Sequence, residues 1–448
     1  MNKALAAALA MVLGVGISVR ADVVHAEFRP AQREAVAKWV GEHLDGLVDV
    51  CKHIHATPEL SRCEEKTAAL AAEHLRKYGY DVTTDVGGHG VVGVLRNGTG
   101  PTVLVRGDMD ALPITEDTGL DYASQVRVTL PDGTTTGVMH ACGHDVHTTT
   151  LLGTAGVLSA ARDQWRGTVV MVAQPAEESG GGAERMIQDG LFERFPRPDF
   201  CLSLHVSHEM PAGQVGYHSG WAAANVDAVD ITIYGRGGHG AKPSATVDPI
   251  VTAAYVITQL QTLVSRRVDP VKPAVVTVGA IHGGSRHNVI PDEVTMKLTV
   301  RSYQQDVRRQ LLDGIRQITT DVCTSFGCPR PPKVDIREGL PACYNDPDLT
   351  AAAVDVFRKV FGADNVIERP AGMGGEDFGM FPRHLEKPGL QISLGSVARE
   401  RYEASLQPGA EPLPSLHSSK YVADLRPSLQ TGVTAMSTLT LSLLDTGK

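Results

Sequence analysis

The sequence predicts an α/β fold: a large α/β domain with a mostly parallel central sheet, interrupted by a smaller, ferredoxin-like α+β domain. Three observations support this prediction. The chain has 448 residues, more than one compact core usually holds. Apolar strands alternate with helices up to residue 224 and again after residue 335, which is typical of a buried parallel sheet. Between them, residues 225–335 change to strands in which polar and apolar side chains alternate.

The first part of the large domain, residues 27–224, contains apolar residues at helical spacing over 29–50, 64–78 and 147–161. Its predicted strands are VVGVLRN (91–97), PTVLVRGDMDALP (101–113), TVVMVAQPAEE (168–178) and DFCLSLHV (199–206). Strands of this apolar kind are usually covered on both faces. Residues that carry chemistry are therefore expected where these strands end.

The smaller domain, residues 225–335, shows a β-α-β-β-α order. Its strands are predicted in VDAVDITIYGRGG (226–238), AVVTVGAIHGG (274–284) and EVTMKLTVRSY (293–303), and its helices over 248–264 and 304–319. The α/β pattern then returns in residues 336–448, with helices over 349–361 and 428–444 and a strand at LQISLGS (390–396). The smaller domain is therefore predicted to be an insertion.

Composition excludes some classes of function. The formal net charge is −9, and 21% of the residues are charged against 42% hydrophobic. Binding to nucleic acid requires clustered lysine and arginine, so a nucleic-acid partner is not expected. Chemistry on a small molecule is the better prediction.

The first 26 residues resemble a secretion signal. Lys3 precedes an apolar run over residues 4–19, and small residues then offer cleavage after Ala21 or Ala26. The run is shorter than the ~20 residues that span a bilayer, so an uncleaved membrane anchor is the weaker alternative. The expected mature protein is exported by a bacterium, periplasmic or secreted, and has no membrane contact.

The chain has seven cysteines, an odd number that leaves at least one sulfur unpaired in an oxidising compartment. Cys142 is the candidate for that sulfur. Cys51 with Cys63 and Cys323 with Cys328 are possible disulfides, but buried free thiols remain an equally open alternative.

The segment MHACGHDVH holds the densest set of possible metal ligands: His140, Cys142, His144 and His147. Cys142 and His144 are two residues apart on a glycine-containing turn, where both can converge on one ion. A cysteine nucleophile activated by His144 or His147 is a weaker alternative, because such partners usually come from distant parts of the chain.

The segment QPAEE places Glu177 and Glu178 side by side at a strand end. Adjacent side chains there point in different directions, so one carboxylate can bind a metal while the other accepts a proton from water. The alternative is a solvated acidic loop or a helix N-terminus. His205 and His417 are further candidate ligands, each weak alone.

Several segments together resemble the amidohydrolase branch of the M20 metallopeptidases, which includes hippurate hydrolases, N-acyl amino acid amidohydrolases and auxin-conjugate hydrolases. The similarity covers nearly everything after the signal. The segments are RGDMDALP (106–113), GVMHACGHDVH (137–147), QPAEE (174–178), GRGGHGAKP (235–243), NVIPDEV (288–294), GGEDFG (374–379) and LHSSKY (416–421).

The resemblance implies a two-metal site with five ligands: Cys142, His144, Glu178, His205 and His417. It places Cys142 between the ions. Zn²⁺ is the expected metal for such a donor set, with Mn²⁺, Co²⁺ or Ni²⁺ as alternatives. Glu177 corresponds to the general base, and Asp110 to a carboxylate that orients a ligand.

The resemblance also implies that the inserted domain is a lid and dimerisation domain, in a homodimer or a larger homo-oligomer. His239 corresponds to a histidine that stabilises the oxyanion in a neighbouring active site, and Asn288 and Arg301 to residues that hold the substrate carboxylate. The alternatives are that His239 is a loop residue, that Asn288 caps a turn and that Arg301 lies on a solvated strand face.

The expected activity is hydrolysis of the amide bond of N-acyl amino acids, with Glu177 as base. Hippurate-like and ochratoxin-like amides, with an aromatic acyl group, are included in this expectation. A metallo-dipeptidase or carboxypeptidase on the same scaffold is the first alternative. A non-catalytic periplasmic protein that binds metal or ligand is the second.

Overall fold

The computed structural model describes residues 28–444, so the predicted signal over residues 1–26 lies outside the described residues. In chain order its strands are β1 (Asp81–Val86), β2 (Gly90–Asn97), β3 (Thr102–Asp108), β4 (Arg127–Thr129), β5 (Thr135–Gly137), β6 (Gly167–Gln174), β7 (Phe200–Pro211), β8 (Val215–Tyr217), β9 (Gly220–Ala223), β10 (Asn225–Tyr234), β11 (Gly238–His239), β12 (Ala274–His282), β13 (Val289–Ile290), β14 (Glu293–Ser302), β15 (Lys333–Glu338), β16 (Cys343–Asn345), β17 (Val366–Glu368) and β18 (Gly389–Val397).

The helices complete this element order. They are α1 (Pro30–Ala56), α2 (Glu65–Lys77), α3 (His144–Ala160), α4 (Gly182–Gln188), α5 (Leu191–Arg194), α6 (Pro249–Thr262), α7 (Gln305–Ser325), α8 (Pro347–Phe361), α9 (Met380–Leu385), α10 (Arg399–Ser405) and α11 (Leu425–Leu444). Within the described part of the chain, no helix has the length and apolarity to cross a membrane.

The large domain is built on an eight-stranded sheet in the order β1-β2-β6-β3-β7-β18-β8-β17. The central strands β6, β3, β7 and β18 run parallel, while β1, β2 and β8 add antiparallel pairs. Side chains of β3 alternate between the two faces: Val103 and Val105 join one core, and Leu104 the other. Helices therefore cover both faces, and the predicted α/β fold with a mostly parallel sheet is confirmed.

The first core packs α1, α3 and α11 against one face of this sheet. Helix α1 buries Val36, Val40, Leu44, Leu47 and Cys51, spaced three or four residues apart. Helix α3 buries almost its whole length, because α1 and α11 cover the sides that the sheet does not. His144, the first residue of α3, is thereby fixed by a rigid helix.

The inserted domain is a four-stranded antiparallel sheet in the order β12-β14-β10-β15, with α6 and α7 packed against it. Every second residue of β10 is buried, as expected for a sheet covered on one face. The predicted boundary at residue 335 falls inside β15, so the inserted sheet ends after Glu338. This strand was missed at the sequence level because it is short and mostly exposed.

The two connections between the domains form a ribbon that the sequence did not predict. Strand β9 leads into the inserted domain, β16 leads out of it, and the two pair antiparallel. Each has three or four residues, too few for a periodic pattern to show.

All seven cysteines lie within the described residues, and all are free thiols. The possible Cys51–Cys63 disulfide is wrong in this structure, because Cys51 lies in the core and Cys63 is exposed. The Cys323 thiol lies beside that of Cys328, but the two are not bonded.

Candidate metal centre and active site

The site lies where the central strands end. Asp108 is the last residue of β3, Glu177 and Glu178 follow β6, and His205 lies in β7 just beyond Ser203, where β7 stops pairing with β3. Parallel strands place their carboxyl ends at one edge of a sheet, which is why residues distant in sequence meet here.

Two sets of possible ligands share one residue. Cys142, His144 and His205 have ligand atoms within 4.8 Å of one another, and so do Cys142, Glu178 and His417. All five predicted ligands are therefore brought together. Cys142 lies in both sets, the arrangement needed for a thiolate between two cations.

The ring of His205 is oriented by the backbone. Its Nδ1 lies 2.8 Å from the carbonyl oxygen of Val206, a bond in which Nδ1–H must donate. Nε2 therefore keeps its lone pair, and it lies 3.5 Å from Cys142 Sγ. A histidine held this way presents the correct nitrogen to a metal.

His144 lies among three carboxylates. Its Nδ1 is 3.4 Å from Asp110 Oδ1, while Nε2 is 3.5 Å from Asp108 Oδ2 and 3.8 Å from Glu178 Oε1. Burial lowers the pKa of His144, but Asp108 and Asp110 outweigh burial and raise the pKa well above its usual value. The negative charges around His144 therefore favour a cation at this position.

Asp110 also fixes the glutamate loop. Its carboxylate accepts hydrogen bonds from the backbone N–H groups of Glu177 (3.1 Å) and Glu178 (2.9 Å) and from Ser61 Oγ (2.6 Å). The preceding Ala176 has φ +55°, a left-handed conformation that a residue with a side chain adopts at a cost of about 1 kcal/mol or more. The bonds to Asp110 hold this turn, so Asp110 orients both His144 and the glutamate pair.

His417 approaches from a distant part of the chain. Its backbone N–H donates to the carbonyl oxygen of Ala141 (2.9 Å), next to Cys142, and its φ is +65°. Nε2 lies 3.3 Å from Glu178 Oε1. The strained backbone thus aims the imidazole at the second ligand set.

The donor set fits two divalent ions. A thiol, a carboxylate and three imidazoles are the ligand types that zinc and related ions take. Both ring nitrogens of His144 and Oε1 of Glu178 are buried without a hydrogen-bond partner among the described residues, which is costly unless a cation satisfies them. Burial also raises the pKa of the Cys142 thiol, and a bound cation would favour the thiolate.

Glu177 lies beside the ligands His144 and Glu178 and also next to two further acids. One oxygen each of Glu177, Glu376 and Asp377 lie within 4.8 Å of one another. Burial, and then the charges of Glu376 and Asp377, raise the pKa of Glu177 well above its usual value. A carboxylate with a raised pKa accepts a proton more readily, which suits a general base.

Arg106 offsets part of the negative charge of these acids. It is fully buried, and its guanidinium reaches Asp108 (2.8 Å), Glu376 (2.9 Å) and Asp377 (3.0 Å). Gln174 also accepts from Nε at 2.9 Å. The sequence placed Arg106 and the GGEDFG segment in recognised motifs without assigning them a role.

His147 has a structural role that the sequence left open. Its Nδ1 is 2.6 Å from Asp108 Oδ1, and its Nε2 accepts from the backbone N–H of Val206 (2.9 Å). Both nitrogens are therefore occupied by protein. The sequence contains a signal for the pairing of Asp108 with His147. Asp108 and Asp110 alternate at a strand end, and His144 and His147 lie three residues apart on one helix.

Three predicted residues lie elsewhere, on the inserted domain. His239 and Asn288 are exposed and belong to paired segments, since β11 pairs with β13 and Gly240 N donates to Asn288 O at 2.9 Å. Arg301 is half-buried on β14 and donates to Thr299 Oγ1. None of the three is among the described groups that could hold a metal.

Comparison with known proteins gives one family. Residues 104–406 match the model of peptidase family M20/M25/M40. Thermostable carboxypeptidase 2 of Saccharolobus solfataricus is 35% identical over 396 residues, which are 87% of this chain and 94% of that protein. Hippurate hydrolase of Campylobacter jejuni is 38% identical over 347 residues, 75% of this chain and 85% of that protein.

The fold matches as well. A crystal structure of the Bacillus subtilis protein YXEP, described as a dinuclear metal-binding peptidase of the M20 family, superposes with a TM-score of 0.73. It is 27% identical and covers 90% of this chain and 99% of that one. Together with the ligand sets, this likeness supports two divalent ions.

Proposed function

Because the chain belongs to peptidase family M20/M25/M40, a family of hydrolases, we propose that it cleaves the amide bond of N-acyl amino acids. The resemblance to its amidohydrolase branch is confirmed by relatives such as the hippurate hydrolase. One observation carries the proposal: two ligand sets share Cys142, and Glu177, which is not one of the five ligands, has an oxygen within 4.8 Å of ligand atoms of His144 and Glu178. A binding protein would not need that spare carboxylate.

Each residue has a defined task in this proposal. Two divalent ions held by the five ligands would acidify water and polarise the amide carbonyl. Glu177 accepts the proton of the attacking water and then delivers it to the leaving amine. Asp110 holds His144 and the backbone of Glu177 in place during both transfers.

We propose Zn²⁺ as the native metal, with Mn²⁺, Co²⁺ and Ni²⁺ as the alternatives to test. The support is chemical: a thiolate and three imidazoles are borderline-soft ligands, which favour zinc over magnesium or calcium.

Recognition of the amino acid would come from the inserted domain. We propose that His239 stabilises the oxyanion in the site of a second copy of this chain, and that Asn288 and Arg301 hold the substrate carboxylate. A dimer through this domain is supported by its exposed apolar side chains, Ile250 and Tyr255 on α6, and by β12, whose outer edge is unpaired within the described sheet.

We also propose that the mature enzyme is exported. The support is the pattern of the first 26 residues, which follows that of a cleaved signal. Fractionation of a bacterial host and N-terminal sequencing of the product test it. A cytoplasmic protein that keeps Met1 would refute export.

A carboxypeptidase is the second candidate, and the name of the Saccharolobus relative favours it. The two activities differ in the group on the carbonyl side of the cleaved bond, which is an acyl group in one case and an aminoacyl group in the other. An enzyme that prefers unblocked dipeptides to N-benzoylglycine would support the peptidase.

The test of the proposal is amine release from a panel of N-acyl amino acids, with and without chelator. We expect release that a chelator abolishes and that Zn²⁺ or Mn²⁺ restores. Metal bound at stoichiometry without turnover of any acylated substrate or dipeptide would support a binding protein.

A further inference from the structure

Helix α7 of the inserted domain ends in a turn that brings two cysteines together. Gly327 follows the helix with φ +67°, the left-handed conformation that glycine adopts most readily. The N–H of Cys328 donates to the carbonyl oxygen of Cys323 (3.0 Å), and the N–H of Gly327 to that of Thr324 (3.1 Å). These two bonds define a Schellman motif, in which the side chains of the first and the sixth residue usually touch.

The two thiols are in contact in this turn. The thiol of Cys323 forms a hydrogen bond with the thiol of Cys328. Cys323 is buried in the core of the inserted domain, and Cys328 packs against that core while part of its surface stays in water. The pair therefore meets the first requirement of a disulfide, which is that the backbone already brings the two sulfurs together.

The chain is stiff on both sides of the turn. Cys323 lies in the last turn of α7, a helix of 21 residues. Pro329 follows Cys328 directly, and a proline restricts both its own backbone and that of the residue before it. Little conformational freedom remains to be lost when a bond joins the thiols, so their effective concentration is high.

The other five cysteines lie outside the inserted domain. Four of them are buried: Cys51, Cys142, Cys201 and Cys343. Cys63 is exposed, among the acids Glu59, Glu64 and Glu65. Cys63 is therefore an internal control, because it is an accessible thiol that does not lie in such a turn.

We infer that Cys323 and Cys328 form an oxidation site, at which a disulfide closes and stabilises the last turn of α7. The oxidant is a molecule that itself carries a disulfide, such as oxidised glutathione. Oxidants of this kind occur in the compartments to which the chain is proposed to be exported. The inference goes beyond the proposed function, because neither cysteine belongs to the described groups that could hold a metal.

The reaction is a double thiol–disulfide exchange. Cys328 is the accessible thiol, so its thiolate attacks one sulfur of the oxidant, forms a mixed disulfide and releases one thiolate of the oxidant. Cys323 then loses its proton to solvent and attacks the sulfur of Cys328, which releases the second thiolate. The protein loses two S–H bonds and gains one S–S bond, while the disulfide of the oxidant is reduced to two thiols.

The bond would also secure a contact between two helices. The same turn holds Phe326, whose ring packs against the ring of Tyr255 on α6 with centroids 5.0 Å apart. A disulfide across the turn limits how far Phe326 can move from α6. We therefore expect the oxidised inserted domain to unfold at a higher temperature than the reduced one.

Peptide mapping of the metal-loaded wild type tests the inference without a variant. The reduced protein is equilibrated with oxidised glutathione at a fixed concentration of reduced glutathione, denatured, and alkylated. Trypsin cuts after Arg316 and Lys333 but not before Pro331, so both cysteines appear in one peptide, residues 317–333. We expect this peptide to lose two hydrogen atoms and to escape alkylation.

The concentration of oxidant separates the pair from Cys63. An exposed thiol without a partner can form only a mixed disulfide with glutathione, whereas the pair gains from its effective concentration. The pair should therefore be half oxidised at an oxidised glutathione concentration about tenfold lower, or less, than the one that half modifies Cys63. If residues 317–333 keep two free thiols where Cys63 carries glutathione, or if each of the two cysteines carries its own glutathione, the inference is overturned.

Thermal unfolding gives a second measurement. It is made on Cys63→Ser protein, so that adducts at Cys63 do not contribute. Because a disulfide constrains the unfolded chain, oxidation should raise Tm by roughly 2–4 °C. Adding Cys328→Ser to the same protein should abolish this shift, since the turn then holds one thiol.

An unchanged or lower Tm after oxidation would show that the turn has to distort to form the bond, and would overturn a preformed, stabilising pair. None of these results bears on hydrolysis. The proposed amidohydrolase is tested by amine release alone, so the oxidation site and the proposed function can fail independently.

Discussion

Replacing Arg106 by leucine should destabilise the large domain strongly. The guanidinium is completely buried and contacts the carboxylates of Asp108, Glu376 and Asp377 at 2.8–3.0 Å. Leucine is apolar and has no charge. The three carboxylates would therefore stay buried without their cation. The loss therefore consists mainly of uncompensated charge rather than lost packing.

The magnitude follows from measurements on comparable pairs. Removing one partner of a buried ion pair costs about 3–5 kcal/mol. Arg106 serves three carboxylates, so the upper end of this range applies. That is a large part of the 5–15 kcal/mol that usually stabilises a domain.

The penalty should also depend on pH. Burial raises the pKa of Asp377 to about 6, although Arg106 lowers it, so removing Arg106 raises it further. The variant then binds more protons than the wild type as the pH falls. We expect the difference in unfolding free energy to be smaller at pH 5 than at pH 8.

Denaturant unfolding followed by tryptophan fluorescence suits this test. The chain has three tryptophans, Trp39, Trp165 and Trp221, and all lie outside the inserted domain. Arg194→Leu is the control, because its pair with Asp189 is exposed and should contribute at most ~1 kcal/mol. A loss for Arg106→Leu no larger than the control, or one that grows at pH 5, would refute the reasoning.

Three further predictions concern the site and its surroundings. Glu177→Ala should lower kcat roughly 10²–10⁴-fold with unchanged metal content, because it removes the base and no ligand; full activity would contradict its role. Cys142→Ala should contain less bound metal than the wild type, because both ligand sets lose a donor. Elemental analysis measures this loss, and two retained ions would exclude a shared thiolate. His55, buried against Asp145 and Glu116, has its pKa raised to about 10: burial lowers it and the two carboxylates outweigh burial. Its stabilisation is complete below its unfolded pKa of ~6.5 and is lost as the pH rises towards 10, so wild type and His55→Gln should converge in unfolding free energy over that interval.

Much of the fold could be predicted because its elements are long and periodic. Helix α1 and the strands β3 and β6 carry their pattern within one segment, and each was found with its start within one residue, although its end differs by four to six residues. The β9–β16 ribbon could not be found this way. Its strands are about 120 residues apart, and neither is long enough to show a period.

The site also has parts that the sequence predicts and parts that it does not. Cys142 and His144 are close in sequence, and Glu177 and Glu178 are adjacent, so their chemistry was visible before the fold was known. Arg106 and Asp377 are separated by 271 positions, and their pairing depends on how β3 and the GGEDFG turn pack. Residue type alone does not show such a pairing.

The arrangement of charge explains why two adjacent glutamates have different tasks. Glu178 lies with His417 and Cys142, a group of donors that a divalent cation would complete. Glu177 shares its surroundings with Glu376 and Asp377, whose two negative charges the single cation of Arg106 offsets only in part. Anions around Glu177 increase its affinity for a proton, while a cation beside Glu178 makes that residue a ligand. An oxygen of Glu177 also lies within 4.8 Å of ligand atoms of His144 and Glu178. Glu177 is therefore close enough to accept a proton from water at the metal site without being a metal ligand itself.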